Sequence, residues 1–485
     1  MSIYDQYETT IGLEIHVQLN TKSKAFCGDA NNFGAAPNTQ VSPVTIAHPG
    51  TLPRLNKKQV AAAAKLGLAL NCEVHQVSYF DRKNYFYADL PKGYQISQDH
   101  QAICTDGYID IRLKNGETKR IRIHQIHMEE DAGKSIHDQD PNYSLVDLNR
   151  AGVPLLEIVS EPDLSSPEEA HVFIAAIRQL VRYLEISDGN MEEGSLRCDC
   201  NVSVRKKGTT ELGTRREVKN VNSMRNVKRA IEFERKSQID LLESGKTVDQ
   251  ETRSFDAQKG TTSSLRSKED AHDYRYFLDP DLPPVMLSTD YFAQLRAEMP
   301  ALPQELFQQF TQEFKLSDYD ANVLIEDKHL ALYFLDLVAQ KISPKSAANW
   351  MSNVIKSHLN QSQLAIQDFM VSPSQLAALI QLVESDQVNQ LVAKQQLFPA
   401  LVAAPNRKPL ELAKKLDILQ AASNEEDLEA LVLEILQQHP DKIAKYKKGK
   451  KGLLGFFVGQ VMRQTKGKVN PKEVNPMVAK LLDSI

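Results

Sequence analysis

Cysteine is scarce in this chain. Five in 485 residues, scattered along its length, are too few for a disulfide framework. Glycine (21) and proline (22) fall below their usual share, and 41% hydrophobic with 25% charged residues is an ordinary balance. Collagen-like, low-complexity and wholly disordered classes are thereby excluded. Long apolar runs are missing as well. Gly452 to Met462, one of the longer uncharged apolar stretches, falls far short of the ~20 residues that cross a bilayer. The first ten residues carry two acids, no lysine or arginine and no apolar core, so they do not read as a secretory signal. Catalytic signatures are lacking too: there is no H-E-x-x-H and no G-x-S-x-G. A P-loop would need glycine where Asp240 and Met128 precede Gly245-Lys-Thr247 and Gly133-Lys-Ser135. What remains is a cytosolic chain of about three domains, with no membrane span.

The pattern that is present divides near residue 291. Before it, strand alternation mixes with helices. Ile11, Leu13, Ile15, Val17 and Leu19 alternate with Gly12, Glu14, His16 and Gln18, which predicts a strand with one polar face. Tyr108 to Ile123 reads as a hairpin turning at Asn115-Gly116. Leu196 to Val204 predicts a strand with Arg197, Asp199, Asn201 and Ser203 on its polar face, and Cys198 and Cys200 turned toward the core. Helices are predicted over 57–70, capped by Asn56; from Ser166-Pro167 to about Leu184; and over 222–244, ended by Gly245. Beyond Tyr291 the sequence is Leu-, Ala- and Gln-rich with helical spacing and Ser-Pro starts at 343 and 372, and Pro405 to Pro409 reads as a linker. The fold class is α+β: a mixed-sheet domain at 1–292, an all-α helical domain at 293–408 and a basic helical tail at 409–485. Although the formal charge is −5 overall, residues 440–485 carry eleven lysines and arginines against three acids, a net of +8. Such a tail fits a polyanion, or is a solvated helical face.

Chemistry gathers on a few segments. Glu14 and His16 share a strand face, about 7 Å apart; such a pair binds a divalent ion, acts as acid and base, or merely faces water. In Ile126 to Lys134, His127 and Glu129 share a face, and Glu130 and Asp131 follow directly. Three successive carboxylates repel unless a cation or solvent relieves them. Glu157 interrupts the apolar run Val153 to Val159. A carboxylate there costs several kcal/mol to bury unless it is paired, for instance with Arg150, or ligates a metal. Glu14, Glu129, Glu157, Asp199 and His16 together offer mostly hard oxygen ligands, a set that favours Mg²⁺ or Mn²⁺ over zinc or copper.

Those same residues carry a resemblance. Ile11-Gly-Leu-Glu-Ile-His16, Phe80 to Tyr87, His127-Met-Glu-Glu-Asp-Ala-Gly-Lys134, Leu155 to Asp163, Glu192 to Asp199, Asp273 to Phe277 and Lys451 to Gln460 closely resemble the B subunits of bacterial GatCAB, the aspartyl/glutamyl-tRNA(Asn/Gln) amidotransferase. The likeness runs the length of the chain in order. It implies a cradle-shaped N-terminal domain with the kinase/transamidase site, then a helical domain and a tail related to YqeY proteins that bind tRNA. It implies ATP-dependent phosphorylation of the side-chain carboxylate on Glu-tRNA(Gln), and on Asp-tRNA(Asn), followed by displacement of phosphate by ammonia. The A subunit would release that ammonia from glutamine, and the C subunit would wrap the pair. Carried over by motif, His16, Glu129 and Glu157 are the principal Mg²⁺ ligands, and Glu14 and Asp199 a second metal or substrate position. Lys83 and Tyr85 line the pocket, while Arg197 contacts phosphate or neutralises Asp199. Where many relatives have a four-cysteine zinc knuckle, this chain has Cys27, Asp29, Ser42 and Thr45, so no zinc is expected. The alternative is a non-catalytic tRNA-binding scaffold of the same complex, which an intact carboxylate set argues against.

Overall fold

The computed structural model describes residues 2–137, 139–267, 273–420, 425–465, 469 and 471–484. Two compact units divide at Pro303 and Gln304. The first is built on a nine-stranded sheet. Its strands are β1 (Tyr7–Gln18), β2 (Glu73–Val74), β3 (Cys104–Arg112), β4 (Thr118–Glu130), β5 (Pro154–Ser160), β6 (Leu196–Lys206), β7 (Arg216–Val221), β8 (Glu251–Asp256) and β9 (Thr261–Ser267). They lie in the order β9-β8-β7-β6-β1-β5-β4-β3-β2. All neighbours are antiparallel except β7 and β8.

The alternation in β1 has the effect its sequence predicts. Ile11, Leu13, Ile15 and Val17 are fully buried, while the intervening Glu14, His16 and Gln18 are half-buried on the other face. Cys198 and Cys200 join the apolar side at 1% and 0% exposure, so they pack the core. Three helices contribute to that core: α1 (Lys57–Ala69), α2 (Pro167–Tyr183) and α3 (Met224–Glu243), through Val60, Leu66, Ile174, Ile177, Val227 and Ile231. Their starts follow from local chemistry. Asn56 accepts from the Lys58 amide, Ser166 from Glu169 ahead of an N1 proline, and Ser223 from Asn226. Gly116, at φ +87°, makes the hairpin turn that few other residues tolerate. The hairpin is longer than its sequence pattern suggests, because β4 continues through Ile126, Met128 and Glu130 to pair with β5. The stretch at 126–130 is therefore buried sheet rather than a loop end in water.

Among the described residues the second unit is helical from start to end. Ser343 and Ser372 cap the Ser-Pro helices Pro344–Trp350 and Pro373–Glu384. Residues 405–408 form a turn rather than a free linker: Pro409 is buried at the start of the helix Pro409–Lys415, which packs against Pro373–Glu384. Leu428, Val432, Phe457, Val461, Val474, Val478 and Leu482 form a core cluster of their own near the C-terminal end. Lys466 and Lys468 of the basic segment lie outside the described residues.

One buried ion network ties α3 to the β7–β9 edge. Glu234, fully buried, lies 3.6 Å from Arg216 and 2.9 Å from Arg253, and it accepts from Thr262. Removing one member of such a network strands its partners in low dielectric. Glu234→Ala should lower the unfolding free energy of the sheet-bearing unit by about 3 kcal/mol, read as an earlier denaturant midpoint with unchanged slope.

Candidate functional site

Strand register assembles the site. On the sheet face opposite α1–α3, His127 of β4 pairs with Glu157 of β5, Glu157 with His16 of β1, and His16 with Arg197 of β6. Same-face partners on neighbouring strands are in contact distance, so four separate segments converge in one lateral row. Glu157 sits at its centre. Its Oε2 is 3.5 Å from His16 Nε2 and 3.4 Å from His127 Nε2. Arg150, the other partner its sequence allowed, is elsewhere. That guanidinium donates to the Ala132 and Gly133 carbonyls and lies 3.8 Å from Asp131.

Glu129 reaches the same place from β4. His127 Nδ1 is 3.5 Å from its Oε1, Ser97 donates to that oxygen at 2.6 Å, and Gln95 donates to Oε2 at 3.1 Å. One ligand atom each from His16, Glu129 and Glu157 lies within 4.8 Å of the other two. Two carboxylates and one imidazole so placed fit a hard divalent cation such as Mg²⁺ or Mn²⁺.

Charge completes the picture. Burial draws the His16 imidazole down, but the Glu157 carboxylate, by charge and hydrogen bond, overcomes this and pushes it up to about 9. Burial raises Glu157, yet the two imidazoles and Lys83 hold it far below the usual carboxylate range. Burial lowers Lys83 too, and Glu129 with Glu157 more than reverses that. Its ammonium lies 4.8 Å above the Tyr274 ring. Tyr85 packs edge-on against Tyr274 and donates to Gln95 Oε1 at 3.4 Å; burial pushes its phenol up.

Arg197 does not neutralise Asp199 by direct contact. It donates to Asp131 at 2.6 Å, which also accepts from Gln18 at 2.6 Å. Arg197 Nε is buried without a partner among the described residues. Asp199 instead accepts from Lys219 of β7 at 2.9 Å, and Glu14 accepts from Asn201 at 2.9 Å. Sequence reading missed Ser97, Gln95, Glu217 and Lys219. The alternation Glu217-Val218-Lys219 was a signal for the last two, hidden by a six-residue strand with few apolar positions.

The four positions Cys27, Asp29, Ser42 and Thr45 also meet in space. Thr45 donates to Asp29 and lies 3.5 Å from Cys27 Sγ. Burial raises Asp29, but the hydrogen bond from Thr45 and the nearby Ser42 and Cys27 side chains bring it below its ordinary value. One thiol, one carboxylate and two hydroxyls are a poor donor set for structural zinc.

A mixed sheet whose polar face gathers residues that could hold a hard cation, followed by a helical unit, is suited to metal-assisted chemistry on phosphate or carboxylate groups. Comparison with known proteins specifies it. Residues 9–293 match the GatB/GatE catalytic domain family, and residues 332–482 match the GatB domain family. The chain is 48% identical over 477 residues to the B subunit of the aspartyl/glutamyl-tRNA(Asn/Gln) amidotransferase of Thermodesulfovibrio yellowstonii, covering 98% of this chain and 99% of that one. It is 47% identical to proteins of the same name from Persephonella marina (98% and 100% covered) and Rickettsia felis (99% and 98%). The chain belongs to this family of tRNA-dependent amidotransferase B subunits.

The His16–Glu157 pair makes stability depend on pH when metal is removed. With its pKa raised from 6.5 to about 9, His16 contributes fully below pH 6.5, and its contribution is lost as pH rises through about 9. Glu157, lowered from 4.5, contributes above that pH and loses its contribution on acidification. In chelator-treated protein, the Tm gap between wild type and Glu157→Gln should therefore be widest between pH 4.5 and 6.5 and shrink toward pH 10. A constant gap would remove the ion pair from the site's description.

Proposed function

We propose that this chain uses ATP and Mg²⁺ to convert Glu-tRNA(Gln), and Asp-tRNA(Asn), to Gln-tRNA(Gln) and Asn-tRNA(Asn) within a cytoplasmic complex with a glutaminase A subunit and a small C subunit. The observation that carries it is the convergence of His16, Glu129 and Glu157 on one sheet face with ligand atoms within 4.8 Å. The relatives' name supplies the substrate class. No zinc is invoked. Among the described residues no helix is long and apolar enough to cross a membrane.

The chemistry needs such a face. A carboxylate cannot expel oxide to an amine, so its oxygen must first take the terminal phosphoryl group of ATP, releasing ADP. Ammonia then attacks the acyl carbon, and phosphate leaves. Mg²⁺ held by His16, Glu129 and Glu157 would neutralise the oxygens of the transferring group. The protein's own charges act alongside it. Lys83, whose proton Glu129 and Glu157 hold tightly, serves as a fixed cation rather than a base. Arg197, clamped through one nitrogen by Asp131, holds a partly exposed guanidinium in a fixed place to meet phosphate. Tyr85 closes the pocket wall beside Lys83. Glu14 and Asp199 form a second, weaker metal or substrate position.

We assign 409–485 as the tRNA-binding tail and 293–408 as a helical domain between it and the cradle at 1–292. The net charge of +8 over residues 440–485 makes phosphate contact the tail's main source of affinity.

Two experiments test these assignments. Glu157→Ala in the assembled complex should abolish amidation, at least ~100-fold in rate, with tRNA affinity nearly unchanged. Full activity would refute the ligand set. Removing residues 410–485 should weaken tRNA binding and flatten its dependence on salt, whereas an unaltered Kd would mean the tail binds something else.

A further inference from the structure

Beside Lys83 the surface changes character. The strand Asp81–Asn84 pairs antiparallel with the short strand Phe277–Leu278, Arg82 lying opposite Phe277. Just before that strand, the Tyr274 carbonyl accepts from the Asn84 amide at 2.9 Å, although the two residues are 190 apart in the chain. The pairing lays Arg82-Lys83-Asn84-Tyr85-Phe86-Tyr87 beside Tyr274-Arg275-Tyr276-Phe277. Both segments interleave aromatic rings with cations.

The rings form a ladder. Tyr87 meets Tyr85 with centroids 5.8 Å apart, Tyr85 meets Tyr274 at 6.0 Å and Tyr274 meets Tyr276 at 6.0 Å, each edge to face. One end joins the site described above, where the Lys83 ammonium lies over Tyr274. The other end is open to water: Phe86 is 89% exposed and Tyr87 60%. Adjacent large apolar side chains left in water mark an interaction surface. Arg275 stands at the same surface, exposed, with its guanidinium 3.6 Å from Asp273. Its backbone is held at φ +43°, a left-handed conformation uncommon outside glycine.

Ring faces take nucleobases whatever their sequence, and cations between the rings take the phosphates. A paired stem keeps its bases stacked on one another, so only an unpaired segment can use such a surface. The proposed substrate has one where it is needed, since its amino acid is esterified to the unpaired 3′ end of the tRNA. We infer that Phe86, Tyr87 and Arg275 form a stacking platform for the unpaired 3′-terminal nucleotides of the aminoacyl-tRNA, which leads the esterified amino acid past Lys83 to the Glu157 face. The inference rests on the substrate reading above and deepens it. Several rings in succession with a cation beside them match a run of nucleotides better than the single base of ATP. Phe86 and Tyr87 bind the substrate away from its reacting atoms, so they place the end of the tRNA rather than catalyse.

The test uses the assembled complex and tRNA(Gln) whose 3′-terminal adenine is replaced by 2-aminopurine, a base whose fluorescence falls on stacking. Total binding is followed in parallel by gel shift, and neither readout needs ATP. Wild type should quench the probe. The Phe86→Ala/Tyr87→Ala variant should still shift saturating tRNA but leave the probe fluorescent. With ammonium chloride as donor, its kcat/KM for Glu-tRNA(Gln) should fall at least ~5-fold, while its KM for ATP stays as in wild type. Tyr87→Phe, which keeps the ring, should match wild type in every readout. Arg275→Gln should weaken quenching and flatten its dependence on salt. A double variant that quenches like wild type, or a wild type that shifts the tRNA without quenching, would overturn the inference and leave the substrate reading standing. A raised KM for ATP with unchanged Glu-tRNA(Gln) kinetics would give the platform to the nucleotide. Loss of the A subunit on gel filtration, from the double variant and from Tyr87→Ala alone, would make the surface a subunit contact. Either result overturns the inference. A wild-type complex that fails to shift the tRNA at all would overturn the substrate reading, and the platform with it.

Discussion

Glu157 is a carboxylate in the middle of a strand that otherwise belongs to the interior, and the rest of the site is arranged around that fact. Taking such a charge out of water costs several kcal/mol unless partners replace the lost hydration. Here the partners are two imidazoles, His16 on one neighbouring strand and His127 on the other, both reaching the same oxygen. The antiparallel register of β4, β5 and β1 is what delivers them. A slip of one residue in any of the three would turn its polar members into the apolar core, and the core under this face is tightly specified by Ile15, Met128, Leu156 and Ile158, all fully buried. The hydrophobic side of the sheet thus sets the geometry of its chemical side.

Around that centre, charge is balanced locally and in pairs. Lys83 answers Glu129 and Glu157, Arg197 answers Asp131, and Lys219 answers Asp199 and Glu217. Each cation stands on a different segment from at least one of its anions, so the face is cross-tied by electrostatics as well as by backbone hydrogen bonds. These contacts hold His16, Glu129 and Glu157 in place by themselves, so the divalent ion proposed there would meet a site already ordered for it. Little reorganisation then remains for the reacting groups.

Much of this was legible in the sequence, for particular reasons. Period-two alternation in β1 and β6 fixes which residues face together, and one carboxylate in the apolar run of β5 advertises itself. Helices α1 and α2 announced their starts through Asn56 and Ser166, and α3 its end through Gly245. Other features were hidden because their cause is tertiary. Nothing local says that Arg197 will pair with Asp131, 66 residues away, or that Arg150 will satisfy backbone carbonyls and leave Glu157 to the histidines. The β7 strand was missed because its outward positions are charged and its inward ones few. Pro405 to Pro409 looked like a linker since proline, asparagine and charge mark turns and linkers alike. Only packing of the helix that follows distinguishes them.

Amide formation on tRNA, if it belongs to this chain and depends on this face, can be observed without the glutaminase. The complex is supplied with Glu-tRNA(Gln), ATP, Mg²⁺ and ammonium chloride in place of glutamine, and Gln-tRNA is scored. Free ammonia bypasses the glutaminase, so product reports on this subunit's chemistry alone. Gln-tRNA should form, and its formation should require both ATP and Mg²⁺. No product, with tRNA still bound, would contradict the assignment and reduce the carboxylate row to a structural feature of a scaffold.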